Sequence, residues 1–176
     1  MNYNETIIPE VKIFQTEPRT DERGSFSRIF CVRELLDAGI HFSVAQINQS
    51  LSTTSGTIRG LHMQREPFAE DKLISCLAGA IFDVAVDMRP WTETYLQYVS
   101  VELTPENGLM LYVPRGFAHG FQTLESNTKV QYAVSAPYTP ASEVGFRWDD
   151  PVFSIQWPAS ADVITSPKDA DWPLIT

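Results

Sequence analysis

The stretch that decides the fold is GLMLYVPRGFAH, residues 108–119. Leu109 to Val113 is a short apolar run of the length of one β-strand. The Pro114-Arg115-Gly116 triplet that follows fixes a turn, because Pro and Gly are the residues that most strongly favour turns. His119 comes at a fixed distance after that turn. The stretch therefore predicts a strand, a tight turn and a second segment that carries a histidine.

Most of the remaining chain also has the pattern of short strands. Residues 80–87 and 128–135 alternate between apolar and polar side chains, and 96–103 forms a further strand that ends at the turn signal 104–108. Eight or more short strands in 176 residues indicate an all-β sandwich or jelly roll. The chain from Ala136 onward is rich in Pro and Trp and is expected to be irregular.

One segment has a helical pattern. It runs from Val32 to Ala38 and is stopped by Gly39, a typical C-terminal cap. No internal repeat or linker interrupts the chain, so the sequence predicts a single domain over residues 1–176.

Composition excludes several classes of protein. The chain is 43% apolar and 20% charged, and 13 basic against 22 acidic residues give a net charge of −9. This charge would repel nucleic acid, and no basic run offsets it. No apolar stretch reaches the roughly 20 residues that cross a bilayer, and the first residues lack a signal-peptide pattern. With only Cys31 and Cys76, the chain is expected to be reduced and cytoplasmic. Its net charge and the lack of a long apolar stretch predict that it neither binds nucleic acid nor enters a membrane.

Two of the three histidines stand in matching contexts, whereas His41 follows the helix cap and is expected in a loop. His62 ends GTIRGLH, residues 56–62, and His119 ends the stretch quoted above. This pair of spacings resembles the two motifs of the cupin jelly roll, in which each motif is a hairpin with its histidine in the mouth of the barrel. The resemblance implies an all-β cupin double-stranded β-helix, with one short N-terminal helix and an irregular C-terminal segment.

The chain departs from metal-binding cupins in its first motif. Those proteins have a second histidine where this sequence has Gln64, and Lys72 follows nearby. Because an ammonium beside a divalent cation is electrostatically costly, we expect a metal-free cupin. No other cofactor is expected. His62 is then free to act as a base.

Further motifs closely resemble the dTDP-4-dehydrorhamnose 3,5-epimerase family and its relatives in deoxysugar biosynthesis. The resemblance extends from about residue 7 to residue 173. In chain order the motifs are DERGSF at 21–26, QINQS at 46–50, IRGLH at 58–62, DKL at 71–73, GFAHGF at 116–121, YTP at 138–140, WDDP at 148–151, IQWP at 155–158 and SPKD at 166–169.

The resemblance implies epimerisation at C3, C5 or both of a nucleotide-linked 4-keto-6-deoxyhexose, converting dTDP-4-dehydro-6-deoxy-D-glucose to dTDP-4-dehydro-L-rhamnose. Removal of a proton beside the C4 ketone leaves negative charge on the ketone oxygen. The reaction therefore needs a base, a group that stabilises the enolate, and a proton donor on the opposite face.

The family pattern assigns four catalytic roles. His62 is the base, and Asp169 pairs with it to fix its tautomer and stabilise the imidazolium. Lys72 lies at the enolate oxygen, and Tyr132 returns a proton to the other face. Taken alone, His62 is equally consistent with a hydrogen-bonded core histidine, and a strand tyrosine such as Tyr132 is more often part of a core, so these roles depend on the resemblance.

The same pattern implies a substrate-binding set. Arginine suits a diphosphate because it can bind bidentately. The members of this substrate-binding set are Arg23, Phe26, Gln46, Asn48, Arg59, His119, Tyr138, Glu143 and Lys168. In the family a glutamate follows Phe26 by two positions and helps to hold the nucleotide, but this chain has Arg28 there. The nucleotide therefore stays open among dTDP, CDP, GDP and UDP.

Other polar and reactive residues are given structural roles. Asp83 and Asp87 share a face of one strand, where two carboxylates could carry out acid–base chemistry. Structural roles are favoured, and we expect Asp87 to form an ion pair with Arg89 at the strand end. Both cysteines are expected to pack as small apolar side chains.

Three alternatives stay open from the residues: a 3,4-ketoisomerase on the same barrel, a non-catalytic sugar-nucleotide-binding cupin, and a metal-dependent cupin oxygenase. Intact His62 and Asp169 argue against the second of these.

Family members are homodimers whose N-terminal strands cross into the partner's sheet, so a twofold dimer is expected. Thr6 to Ile13 has the pattern of such an edge strand, with Pro9 on its exposed side.

Overall fold

Two antiparallel sheets face each other, as the alternating pattern predicts. The computed structural model describes residues 1–175. Its strands in that range are β1 (Asn2–Glu5), β2 (Lys12–Gln15), β3 (Arg19–Asp21), β4 (Gly24–Phe26), β5 (Gln46–Ser52), β6 (Ile58–Gln64), β7 (Lys72–Ala78), β8 (Ile81–Asp87), β9 (Tyr98–Leu103), β10 (Leu109–Val113), β11 (Phe117–Thr123), β12 (Thr128–Val134) and β13 (Glu143–Gly145).

The sheets have six and five strands. The six-stranded sheet has the order β1-β2-β10-β7-β12-β5, and the five-stranded sheet has the order β13-β6-β11-β8-β9. A separate hairpin pairs β3 with β4. The largest buried apolar cluster draws on both sheets, with Ile74 and Leu111 from the first and Ala85, Phe117 and Phe121 from the second. This confirms the all-β jelly-roll prediction.

Strand register brings the two histidine motifs together. β6 pairs with β11, and His62 lies directly opposite His119. On the facing sheet β7 pairs with β12, and Lys72 lies opposite Val134, two positions from Tyr132. Residues from four separate strands therefore line the space between the sheets.

The predicted helix is present and a second one was missed. α1 covers Val32–Asp37, and Gly39 follows with φ of 79°, as expected of a C-terminal glycine. A four-residue helix, α2 (Pro167–Ala170), lies in the C-terminal part that was expected to be irregular. Apart from a short 3-10 turn and β13, that part is otherwise irregular. Within residues 1–175 no helix is long and apolar enough to cross a membrane.

The prediction of an edge strand over Thr6 to Ile13 was wrong for most of its length. Only Lys12 and Ile13 are in a strand, and the preceding residues form the turn between β1 and β2. The Thr6 hydroxyl donates to the carbonyls of Ile8 (2.7 Å) and Val11 (2.9 Å), which closes this turn. Ile8 and Val11 are fully buried, so the apolar pattern arises from core packing rather than from strand alternation.

The expected ion pair of Asp87 is confirmed at the end of β8. Arg89 Nε and Nη2 each donate to the carboxylate at 2.8 Å, and the hydroxyls of Thr92 and Thr94 donate at 2.9 Å and 2.6 Å. Burial alone would raise the pKa of Asp87, but these donors outweigh it and lower the pKa to about 2. The carboxylate therefore stabilises the fold in its ionised form.

We expect Asp87→Ala to lower the free energy of unfolding by about 2 kcal/mol at pH 7, the order that a shift of this size implies. The folded-state pKa lies below the ordinary value, so this contribution is complete above pH of about 4 and is lost as pH falls towards 2. Urea unfolding at pH 7 and pH 3 measures both. Asp149→Ala, which removes a half-exposed ion pair with Arg147, is the matched control and should change stability by less than about 1 kcal/mol. An equal effect of the two variants would contradict the structural role of Asp87.

Candidate active site

Two adjoining cavities open between the sheets. The first has a volume of about 300 Å³ and the second about 520 Å³. Three side chains line both of them, namely His62 from the five-stranded sheet and Lys72 and Tyr132 from the six-stranded sheet. These are three of the four residues for which the sequence predicted catalytic roles.

Asp169, the fourth, reaches His62 from α2. Its Oδ1 lies 2.5 Å from His62 Nε2, and its Oδ2 accepts a hydrogen bond from the Gly60 backbone N–H at 3.4 Å. The Ser166 hydroxyl caps α2 by accepting from the Asp169 N–H, which fixes the carboxylate-bearing residue. Burial would raise the pKa of Asp169, but the hydrogen bond and charge of His62 outweigh it and lower the pKa.

An ionised Asp169 has a direct consequence for His62. The carboxylate accepts the Nε2 proton, so the neutral ring has its lone pair on Nδ1. His62 Nδ1 makes no hydrogen bond within residues 1–175, and the side chain is 30% exposed at the cavity wall. The geometry therefore provides a base whose tautomer is fixed from behind.

Lys72 is a buried cation at the junction of the cavities. Its Nζ donates to the His62 carbonyl at 3.0 Å and lies 3.2 Å from Glu70 Oε1. An ammonium has three donors, so one is left for a ligand. A buried cation beside the base is suited to stabilise negative charge that develops on a substrate oxygen.

Tyr132 keeps its proton at neutral pH. Burial raises the pKa of its phenol, and the nearby Arg59 guanidinium only partly opposes this. On β12 it pairs in register with Asn48, so its position is fixed by the sheet. A protonated phenol on the sheet opposite His62 can donate a proton from the other side of the cavity.

His119 lies in the second cavity and has its own carboxylate. Its Nε2 is 2.7 Å from Asp83 Oδ1, and Asp83 is fully buried. Burial raises the pKa of Asp83, against the opposing effect of His119. A structural role was favoured for Asp83 from its sequence pattern, and its pairing with His119 was not predicted. The signal available in the sequence was the position of this aspartate in the alternating segment 80–87, in phase with Ile81 and Ala85.

Six further residues predicted to bind substrate line the two cavities. The second cavity carries the basic side chains Arg59 and Lys168, and the first carries Glu143. Glu143 accepts hydrogen bonds from Tyr138 Oη (2.7 Å) and Lys168 Nζ (2.6 Å), which ties β13 to α2. The remaining members are Gln46 and Asn48, whose side chains hydrogen-bond to each other at 2.6 Å.

Arg23 and Phe26 are not brought to this site. Arg23 pairs with Asp21 on the β3–β4 hairpin, and its side chain is 85% exposed. Phe26 is 71% exposed and lines a separate cavity with Arg28, which pairs with Glu34. Within one chain neither predicted binding residue lines the cavities around His62.

Gln64 has a structural role where metal-binding cupins carry a ligand. It is buried, its Nε2 donates to the carbonyls of Phe68 (2.9 Å) and Pro137 (3.3 Å), and its Oε1 accepts from the Thr139 N–H. In the part of the chain that the structure describes, no group of three or more His, Cys, Asp or Glu side chains could hold a metal ion.

Glu70 was not among the residues singled out from the sequence. Its side chain is only 8% exposed, yet it lines the first cavity beside Lys72. Two signals were available for it: its place shortly after His62 in the first cupin-like motif, and its spacing of two residues from Lys72, which places two side chains on the same side of an extended chain.

Comparison with known proteins gives a consistent result. The family model described as dTDP-4-dehydrorhamnose 3,5-epimerase matches residues 5–176. A curated dTDP-4-dehydrorhamnose 3,5-epimerase from Sinorhizobium fredii is 44% identical over 99% of this chain and 90% of its own length. One from Escherichia coli is 40% identical over 96% of this chain and 91% of its own length.

Solved structures agree with the sequence relatives. The crystal structure of dTDP-6-deoxy-D-glucose-3,5-epimerase from Legionella pneumophila, in complex with dTDP-4-keto-L-rhamnose, superposes with a TM-score of 0.94. It is 40% identical, and the match covers 98% of this chain and 92% of that one.

Proposed function

The chain belongs to the dTDP-4-dehydrorhamnose 3,5-epimerase family of isomerases, and we propose that His62, Asp169, Lys72 and Tyr132 carry out its reaction. That reaction is the inversion of C3 and C5 in a dTDP-linked 4-keto-6-deoxyhexose, the chemistry that its relatives' names state. Both carbons flank the same C4 ketone. One set of catalytic groups can therefore serve both inversions, provided that the ketone oxygen stays bound to the same hydrogen-bond donor.

In the proposed first step His62 takes the proton from the carbon next to the ketone. Nδ1 accepts it, and the imidazolium that forms is stabilised by the carboxylate of Asp169 2.5 Å from Nε2. The electron pair of the broken C–H bond forms a double bond to C4, and the π electrons of the C4 carbonyl move to its oxygen, which becomes negatively charged. The free N–H of Lys72 is the donor for that oxygen.

In the second step Tyr132 returns a proton to the opposite face of the same carbon. The phenolate that results takes up a proton from water, and the His62 imidazolium releases its proton to water, which restores both groups before the next inversion. The observation that carries the proposal is the placement of His62 and Tyr132 on facing sheets around a shared cavity, with Lys72 in the same wall. Two acid–base groups on one side could exchange a proton but could not invert a centre.

The second cavity is the favoured location of the diphosphate. It carries Arg59 and Lys168, which do not line the first cavity, whereas the first cavity carries Glu70 and Glu143. Two phosphate groups are best accommodated where cationic donors converge. Relatives that carry the dTDP name support thymidine as the nucleoside, which leaves CDP, GDP and UDP as controls in binding experiments.

Product analysis tests the proposed function. Purified protein mixed with dTDP-4-keto-6-deoxyglucose is expected to form dTDP-4-keto-L-rhamnose, identified by NMR. A 3-keto product would instead identify a ketoisomerase. Binding of the substrate without any product would identify a non-catalytic sugar-nucleotide-binding protein.

We also propose that the protein acts as a twofold dimer. Arg23 and Phe26 match the family's binding motif but lie on a hairpin remote from their own chain's cavities, so they can contribute only if they reach a neighbour's site. The outer edge of β1 is also unpaired within the described chain, and is available to a partner sheet. Sedimentation velocity at micromolar concentration should give twice the 19.8 kDa of one chain. A single species at the mass of one chain would contradict this proposal.

A cytoplasmic location is proposed on the state of the cysteines. Cys31 and Cys76 are both free, and Cys76 is buried. Burial raises the pKa of the Cys76 thiol to about 11, so it carries little of the reactive thiolate at neutral pH. Such thiols are compatible with a reducing compartment.

A further inference from the structure

Glu70 has a feature that the proposed mechanism does not use. Its carboxylate is 92% buried, Oε1 lies 3.2 Å from Lys72 Nζ, and Oε2 has no hydrogen-bond partner within residues 1–175. An ionised carboxylate oxygen left without a donor in a buried position is costly. Because Glu70 lines a substrate cavity, a hydrogen-bond donor on the bound substrate can satisfy this oxygen.

The position of Glu70 is rigid. The next residue, Asp71, is buried and accepts hydrogen bonds from Tyr112, Arg115 and Ser135. Its backbone N–H also donates to the Ser135 hydroxyl at 2.7 Å. Because this network joins β7, β10 and β12, the carboxylate of Glu70 is held at the cavity wall before any ligand binds. The terminal torsion of a glutamate is broad, so rotation about it can present either carboxylate oxygen to the cavity.

The chemistry of the substrate indicates which donor this is, and this step rests on the proposed function. If Lys72 binds the C4 oxygen, a group beside Lys72 faces a carbon next to C4. C5 carries a methyl group and the ring oxygen, so the only hydroxyl on a carbon adjacent to C4 is at C3. Neighbouring oxygens on a sugar ring are close enough to be bound by an adjacent ammonium and carboxylate.

We infer that Glu70 is a specificity-determining residue that accepts a hydrogen bond from the C3 hydroxyl of the substrate. The ion pair with Lys72 then has two roles. Glu70 fixes the ammonium so that its free N–H meets the ketone oxygen, and it holds the hydroxyl on one of the two carbons that are inverted. Sugars that lack a hydroxyl at C3 leave the carboxylate without a donor and are disfavoured.

The test compares two substrates in deuterium oxide. One is dTDP-4-keto-6-deoxyglucose and the other is its 3-deoxy analogue, and the readout common to both is the kcat/KM of C5–H exchange by NMR. The wild-type protein should prefer the hydroxylated sugar by about 10- to 100-fold, the range for a hydrogen bond to a charged group. Glu70→Ala should reduce this preference to less than about 3-fold, because the acceptor is gone.

Two further variants make the test decisive. Glu70→Gln keeps one oxygen for Lys72, so it should fold as the wild type does and show an intermediate preference, since an amide forms only a neutral hydrogen bond. Glu102→Ala, on the exposed face of β9, removes a carboxylate far from the cavities and should retain the full preference. A purely structural Glu70 would lower activity on both substrates alike and leave their ratio unchanged.

The outcomes separate this inference from the proposed function. An undiminished preference in either Glu70 variant, or equal exchange of both sugars by the wild type, overturns the role of Glu70 and leaves the epimerase assignment intact. Absence of exchange with both sugars in the folded wild type overturns the proposed function, and the Glu70 inference with it. A preference that decreases from wild type to Glu70→Gln to Glu70→Ala supports the inference.

Discussion

His62→Ala is expected to lower the rate of C3–H and C5–H exchange by about 1,000- to 10,000-fold, the upper range for removal of a general base. Tyr132 remains in this variant, but its phenol cannot take the carbon-bound proton, because burial raises its pKa and keeps it protonated at neutral pH. Substrate affinity should change much less, because the diphosphate is bound elsewhere in the proposed arrangement. Proton NMR in deuterium oxide, either on quenched samples or during the reaction, measures the rate of C3–H and C5–H exchange.

His41→Ala is the matched control for this variant. Of the three histidines, His41 is the one that lines neither cavity, and it lies exposed in the loop after α1. Its removal should leave exchange within about 2-fold of the wild type, as for an ordinary surface substitution. Near-normal exchange in a folded His62→Ala protein would contradict the assignment of the base.

Tyr132→Phe is expected to separate exchange from inversion. His62 can still remove the proton and return it to the same face, so solvent deuterium should continue to enter C3 and C5. Formation of the inverted sugar should fall by about 100- to 1,000-fold, because no donor remains on the opposite face. The measurement is the ratio of deuterium incorporation to product formed in one NMR time course.

Two controls accompany the tyrosine variant. Tyr95→Phe, a half-exposed phenol away from the cavities, should behave as the wild type. The raised pKa of Tyr132 also predicts that inversion by the wild type does not decline through deprotonation of this residue until the pH exceeds about 10. Equal loss of exchange and inversion in Tyr132→Phe would contradict its role as the acid of the second step.

The strands and one helix could be predicted from the sequence because their signals are local. Alternation over 80–87 and 128–135 corresponds to β8 and β12, and Gly39 ends α1 as expected. The apolar pattern of Thr6 to Ile13 was misleading, because a turn with two buried side chains, Ile8 and Val11, resembles an alternating strand. The local pattern of apolar residues does not distinguish a strand from such a turn, and the hydrogen bonds of the Thr6 hydroxyl that close this turn leave no mark on that pattern.

The pairing of residues across the site could not be derived from local signals. Asp169 lies 107 positions from His62, on a four-residue helix too short to show a periodic pattern. Only the family resemblance connected the two. Asp83 and Glu70 were not singled out for the site, because each becomes informative only when its distance to His119 or Lys72 is known.

Incubation of the wild-type protein with dTDP-4-keto-6-deoxyglucose in deuterium oxide, followed by proton NMR beside His62→Ala, tests the central claim most directly. We predict that both the C3–H and the C5–H signals disappear while the inverted sugar accumulates, and that both signals persist with His62→Ala. Persistence of both signals with the folded wild-type protein, or loss of only one of them, would contradict 3,5-epimerisation. Equal exchange by the two proteins would contradict the role of His62.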